Sequence, residues 1–137
     1  WPFLALQLLD SALDTKLRFR GRSLILADRC VLDTLVDLAV DTGLDELILS
    51  SLAPRMAGLL PRPNAAFLLL RQPGLVAAAR PDAVADRHFA RRRSLYLRIA
   101  KQLNIPVIHN DGPVEATVDA ILAGISENDN APIEAGR

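Results

Sequence analysis

Apolar and polar positions along the chain sort into a succession of short elements. Leu6, Leu9, Leu13 and Leu17 recur at helical spacing, which predicts an amphipathic helix over Pro2–Arg20 that Gly21 ends. The continuous run Ser23–Ala27 reads as a buried strand. A helix over Cys30–Asp41 follows and stops at Thr42-Gly43, and another helical stretch, Leu44–Leu60, is interrupted by Pro54 and closed by Pro61-Arg62-Pro63. Ala65–Leu70 is a second apolar run of strand length. Pro73-Gly74 leads into a short helix through Ala79, and Pro81-Asp82 opens a long charged helix reaching Leu103. Ile105–Ile108 is a brief third strand. Asp111-Gly112-Pro113 starts a last helix to about Ala123, and the polar tail over residues 126–137 is expected to lack structure.

Strands separated by helices imply parallel pairing through crossovers, so the expected class is α/β: a three-layer parallel sheet of three strands with flanking helices, in one domain over residues 1–125. Half of the residues are hydrophobic and only 4% aromatic, so the core must come from Leu, Val, Ile and Ala. Sixteen basic residues balance sixteen acidic ones, which argues against a surface that tracks a nucleic acid polymer or an anionic membrane. The apolar opening, Trp1 to Leu9, lacks a basic flank and meets Asp10 and Asp14 too early for a span, so it reads as neither membrane anchor nor signal peptide. A single cysteine, Cys30, permits no internal disulfide and suggests a cytoplasmic chain. One cysteine with His88 and His109 forms no recognisable metal-ligand set.

Asp28-Arg29, at the carboxyl end of the first expected strand and before a helix, is the leading site candidate, because open parallel sheets bind ligands there. An arginine at such a place suits phosphate, through a planar fork that is always charged. Asp33, Asp37 and Asp41 lie four apart on one helix face, where like charges repel. Asp41 reads as solvated. Asp33 and Asp37 either share that solvated face or meet a cationic partner such as the arginines further on. Arg87, Arg91, Ser94 and Arg98 share one face of the expected long helix, with Arg92 and Arg93 beside them and Arg80 just ahead of it. They are either an exposed charged face or a basic arm closing over phosphates. Arg71, after the second strand, is a ligand contact or simply exposed. Cys30 reads as a small buried side chain, and His109 as structural. No G-x-x-x-x-G-K-[ST] and no G-x-G-x-x-G loop occurs anywhere.

Taken in order, these pieces resemble the C-terminal portion of thymidylate kinase-like proteins, a branch of the P-loop nucleoside monophosphate kinases. Gly21–Arg29 resembles the strand ending in the family's Asp-Arg-Tyr motif, and Leu60–Leu70 its L-P-x-P-D lead into the next strand. Arg80 falls where the family places a basic residue before its lid, Arg93-Ser94-Leu95-Tyr96 matches the lid-exit pattern R-x-x-Y, and Val107–Glu115 resembles the final strand and turn. The short spacing from Asp28-Arg29 to Ala65 is more similar to compact members linked with bacterial surface polysaccharides than to housekeeping enzymes.

By this resemblance, Arg29 would hold the acceptor nucleotide's phosphate, with Asp33, Arg80 and Arg87 in the substrate-binding set. Arg91 and Arg93 would reach the transferred phosphate, and Asp28 would lie near the metal. ATP and Mg2+ are the implied cofactors, a small phosphorylated molecule the implied partner, and a homodimer is left open. Cys30 stands in place of the motif's aromatic residue, Asn64 in place of an acid, and Arg71 where an acid usually follows the strand. The P-loop strand, which the family places between the strands equivalent to Ser23–Ala27 and Ala65–Leu70, has no counterpart. Without it those strands pair directly or leave open backbone groups, at about 1–3 kcal/mol for each buried one. The implied fold is thus an incomplete P-loop kinase-like domain. The natural protein is expected to extend upstream, and this chain alone to be inactive. Two rivals stand beside the kinase reading: a noncatalytic relative that binds a phosphorylated ligand or a partner, and a helical interaction domain whose arginines only face solvent.

Overall fold

The computed structural model describes residues 26–28, 30–59 and 63–129. Its elements are α1 (Val31–Thr42), α2 (Asp45–Leu47), a π-helical turn (Ile48–Leu52), α3 (Ala53–Leu59), β1 (Leu68–Leu70), α4 (Pro73–Ala79), α5 (Pro81–Ala85), α6 (Phe89–Gln102), β2 (Val107–His109) and α7 (Val114–Asp129). The described chain is therefore mostly helical. It forms two compact units: residues up to Arg62 together with Ala90–Ile99, and Pro63–Phe89 together with the chain from Ala100 onward.

In the first unit, α1 begins and ends where its sequence directs. Cys30 is the extended N-cap, and Asp33 at the third helical position reaches back, its Oδ2 accepting the Cys30 N–H at 2.7 Å. Gly43 ends the helix with φ 74°, and its N–H donates to Ala39 O at 2.9 Å. α2, the π turn and α3 run on as one helical stretch past Pro54. A proline ring clashes with the carbonyl four residues earlier, and the wider π turn directly before Pro54 relieves that clash. Val31, Leu35, Val36, Leu38, Ala39, Val40, Ile48, Leu49, Ala53 and Met56 form the core, which Leu95 and Ile99 of α6 complete.

In the second unit, β1 and β2 pair in parallel, Leu68 opposite Val107 and Leu70 opposite His109. The connection between them runs through α4, α5 and α6. Among the described residues, Leu70, Ala100 and Thr117 are its only buried ones, so this unit has a thin interior.

The three-layer, three-stranded parallel sheet is overturned: two short parallel strands in a helical chain replace it. Ser23–Ile25 of the expected first strand lie outside the described residues, as does the helix expected over Pro2–Arg20. Leu26 and Ala27 are irregular, and Leu26 is 86% exposed. An apolar run becomes a strand only when a neighbouring strand and a covering layer receive it, and among the described residues Leu26 has neither. Ala65–Leu70 pairs only over its last three residues, because its partner is equally short and is preceded by Pro106, which lacks an N–H; the Pro106 carbonyl accepts the Leu68 N–H at 2.9 Å.

The long helix expected from Pro81 breaks into α5 and α6. Asp86 is extended (ψ 117°), and its Oδ1 accepts the His88 N–H at 2.9 Å, the competition with helical bonding that short acidic side chains provide. α6 ends in a Schellman turn, with Asn104 at φ 54° and the Ile105 N–H donating to Ala100 O at 2.8 Å. α7 runs to Asp129, past the end expected near Ala123.

Candidate functional site

Two polar constellations stand out, one that contains the predicted Asp33 and Arg91 and one at a strand edge that contains none of the predicted site residues. The first ties α6 to α1 and α2 within the first unit. Arg91 grips Asp45 with two hydrogen bonds, Nη2 to Oδ1 at 2.5 Å and Nε to Oδ2 at 3.2 Å. The same guanidinium donates to the carbonyls of Ala39 and Val40 at 3.3 and 3.4 Å, the negative end of α1. Arg92 Nε lies 3.2 Å from Asp37 Oδ1, and Arg98 Nη2 donates to Glu46 Oε1 at 2.7 Å. Tyr96 completes the row, its hydroxyl donating to Asp33 Oδ1 at 2.8 Å.

This answers the choice left open for the aspartates. Asp37 meets an arginine and Asp33 a tyrosine, while Asp41 is exposed. Asp45 and Glu46 were not singled out in the sequence. Their signal was present as an acidic pair directly after the Gly43 stop, and what matched them to Arg91 and Arg98 was the packing of α6. Donating hydrogen bonds to the Asp45 carboxylate raises the pKa of Arg91. Desolvation of the Cys30 thiol, with the Asp33 carboxylate adding to it, pushes its pKa up even though much of the residue is exposed. A raised pKa works against a nucleophilic role.

The second constellation is the carboxyl edge of the β1–β2 pair. Arg71 and Gln72 follow β1, and His109, Asn110 and Asp111 end or follow β2. Asp111 braces the edge: its Oδ1 accepts the Gln72 N–H at 2.6 Å and its Oδ2 lies 3.8 Å from His109 Nδ1. The Asn110 N–H donates to Leu70 O at 2.7 Å, and the Thr117 hydroxyl donates to Asn110 Oδ1 at 3.0 Å, tying α7 to the strand end. α4 and α7 both begin directly beyond this edge. Gln72, Asn110, Asp111 and Thr117 were missed in the sequence, although three of them immediately follow strand-like runs.

The expected site residues divide between the units. Asp28 is exposed and irregular two residues ahead of the α1 N-cap, while Arg29 lies outside the described residues. Asp33, Arg91 and the half-buried Arg93 belong to the first unit. Arg80 and Arg87 belong to the second. Arg80 pairs with Asp82 through hydrogen bonds of 3.1 and 2.9 Å, which raise the arginine's pKa and lower the aspartate's. Arg87 Nε donates to His88 Nε2 at 2.8 Å. Among the described residues no group of three or more His, Cys, Asp or Glu could hold a metal ion, and no helix is long and apolar enough to cross a membrane. Comparison with protein-family models, with curated proteins and with solved structures found no match.

Proposed function

We propose that this chain is the C-terminal part of an ATP-dependent phosphotransferase whose acceptor is a nucleoside monophosphate of the thymidylate kind, and that it does not turn over by itself. The observation that carries this reading is the parallel pairing of Leu68–Leu70 with Val107–His109 and the polar edge that follows it. Parallel strands joined through helices bind ligands at their carboxyl ends, and the resemblance in sequence runs through both strands. Asp28, just ahead of α1, and Arg29 beside it stand in the family's acceptor-phosphate motif.

The chain does not fit its implied cofactors unaided. Its sequence has no glycine-rich loop to cradle a triphosphate, and no metal-holding group of acids occurs among the described residues. By the resemblance, ATP and Mg2+ would be held by the family's P-loop portion, which has no counterpart in this sequence. By the same resemblance, the contribution of this chain is to receive and neutralise the acceptor phosphate, with Arg29 as first donor and Arg93 as a further cation of the same unit. That is positioning and charge stabilisation, without covalent chemistry. A coding frame that continues upstream into G-x-x-x-x-G-K-[ST], and turnover of ATP with thymidylate by the longer protein, are the expected results. An upstream frame without that motif overturns the reading.

A second reading, a noncatalytic relative that binds a phosphorylated ligand or a partner, is favoured by one observation. Arg91 and Asp33, two residues assigned to phosphate and substrate, are already engaged by Asp45 and Tyr96. Saturable thymidylate binding by the longer protein without turnover selects it.

A further inference from the structure

α7 carries an apolar stripe that its own unit leaves open. Val114, Val118 and Leu122, at successive four-residue steps, are 64%, 46% and 56% exposed, and the half-buried Ile121 and Ile125 continue the stripe toward the packed side of the helix. The packed side itself is accounted for: Thr117 is buried and bonded to Asn110, and Gly124 faces the ring of Phe67. Three large aliphatic side chains in one row are not the scattered singles that any surface carries. The charged residues of this helix, Glu115, Asp119, Glu127 and Asp129, are all acidic, and it has no lysine or arginine. Glu115 and Asp119 are exposed and follow Val114 and Val118 directly, so they border the stripe.

We infer that this stripe docks an amphipathic helix of a partner protein, one with an apolar seam flanked by lysine or arginine. Helix-on-helix docking reads apolar anchors at this spacing, and charges beside the seam choose the partner. The acidic border argues against two other occupants, a second copy of this helix and an anionic bilayer. Two copies of α7 packed along this stripe would set acidic borders together with no base on the helix to offset them. A helix lying on an anionic bilayer carries basic residues on its polar face, and α7 has none.

The test uses the 137-residue chain and two synthetic leucine–lysine peptides of identical composition, one with its leucines in a helical seam and one scrambled. Fluorescence anisotropy should show the seam peptide binding at least about tenfold more tightly than the scrambled one, the value of one buried aliphatic contact. Val118→Asp and Asp119→Lys should each weaken it by about tenfold, with the circular dichroism of the chain unchanged. Leu122→Ala, which favours the helix, supplies a second variant if Val118→Asp perturbs the fold. Equal binding of both peptides, binding untouched by these substitutions, or no binding overturns the inference. So does sedimentation showing self-association that Val118→Asp abolishes, or partition of the chain onto anionic vesicles.

Discussion

The Arg91 guanidinium clasps both carboxylate oxygens of Asp45 and, in the same orientation, reaches the carbonyls of Ala39 and Val40 at the end of α1. One side chain of α6 thus closes a helix terminus on another element and holds the acid that follows it. A planar, multi-donor cation suits this task and a point charge does not. Arg91→Lys is therefore expected to lower the thermal midpoint nearly as far as Arg91→Ala, and Asp45→Asn to lower it less. Thermal denaturation followed by circular dichroism compares the three.

The core beneath that row supplies most of the stability. Leu35 and Leu95 are essentially fully buried in the first unit. Leu35→Ala and Leu95→Ala should each cost about 2–5 kcal/mol in urea unfolding, the range for a leucine truncated in a packed core. Truncation of the exposed Leu122 should cost under about 0.5 kcal/mol.

Gly43 has φ 74° and nothing within 4 Å of where a Cβ would stand. Its replacement is therefore a matter of backbone conformation alone. Gly43→Ala should destabilise by about 1–2 kcal/mol, and Gly43→Asn by less, since asparagine tolerates the left-handed region. Urea unfolding of the two variants beside the parent chain measures the difference.

Gly124 presents the opposite case. A Cβ there would lie 2.6 Å from Phe67 Cε1, so the ring must shift. Overpacking costs about 1–3 kcal/mol, against a gain of up to about 1 kcal/mol in helix propensity. Gly124→Ala should be net destabilising, and Phe67→Leu should relieve much of that loss in a double-mutant cycle.

Asp82 titrates below the usual carboxylate range because Arg80 hydrogen-bonds to it. A depressed folded-state pKa means the pair contributes above the unfolded carboxylate pKa, and that contribution disappears as pH falls through the lower folded value. The pair is exposed and screened by salt. In a carboxyl NMR titration, Arg80→Ala should return Asp82 upward to the ordinary range, and high salt should move it the same way.

Local signals in the chain determined a good deal by themselves. The Cys30 start and Gly43 stop of α1, the proline-led starts of α4 and α5, the apolar run that contains β1 and the one that overlaps β2 were all legible, because caps, prolines and periodicity act within a few residues of where they stand. Asp86 as a helix breaker was legible in principle but was outweighed by the charged, helix-favouring stretch around it.

The tertiary structure alone decided the rest. It decided that Leu26 stands exposed rather than in a sheet, that Asp37 and Asp45 hold Arg92 and Arg91, and that Asp111 braces the end of β1 through Gln72. Strand formation and ion pairing depend on which distant segment arrives alongside. A stretch of sequence specifies its own turn and its own apolar face, but not the neighbour that will bury that face or neutralise that charge.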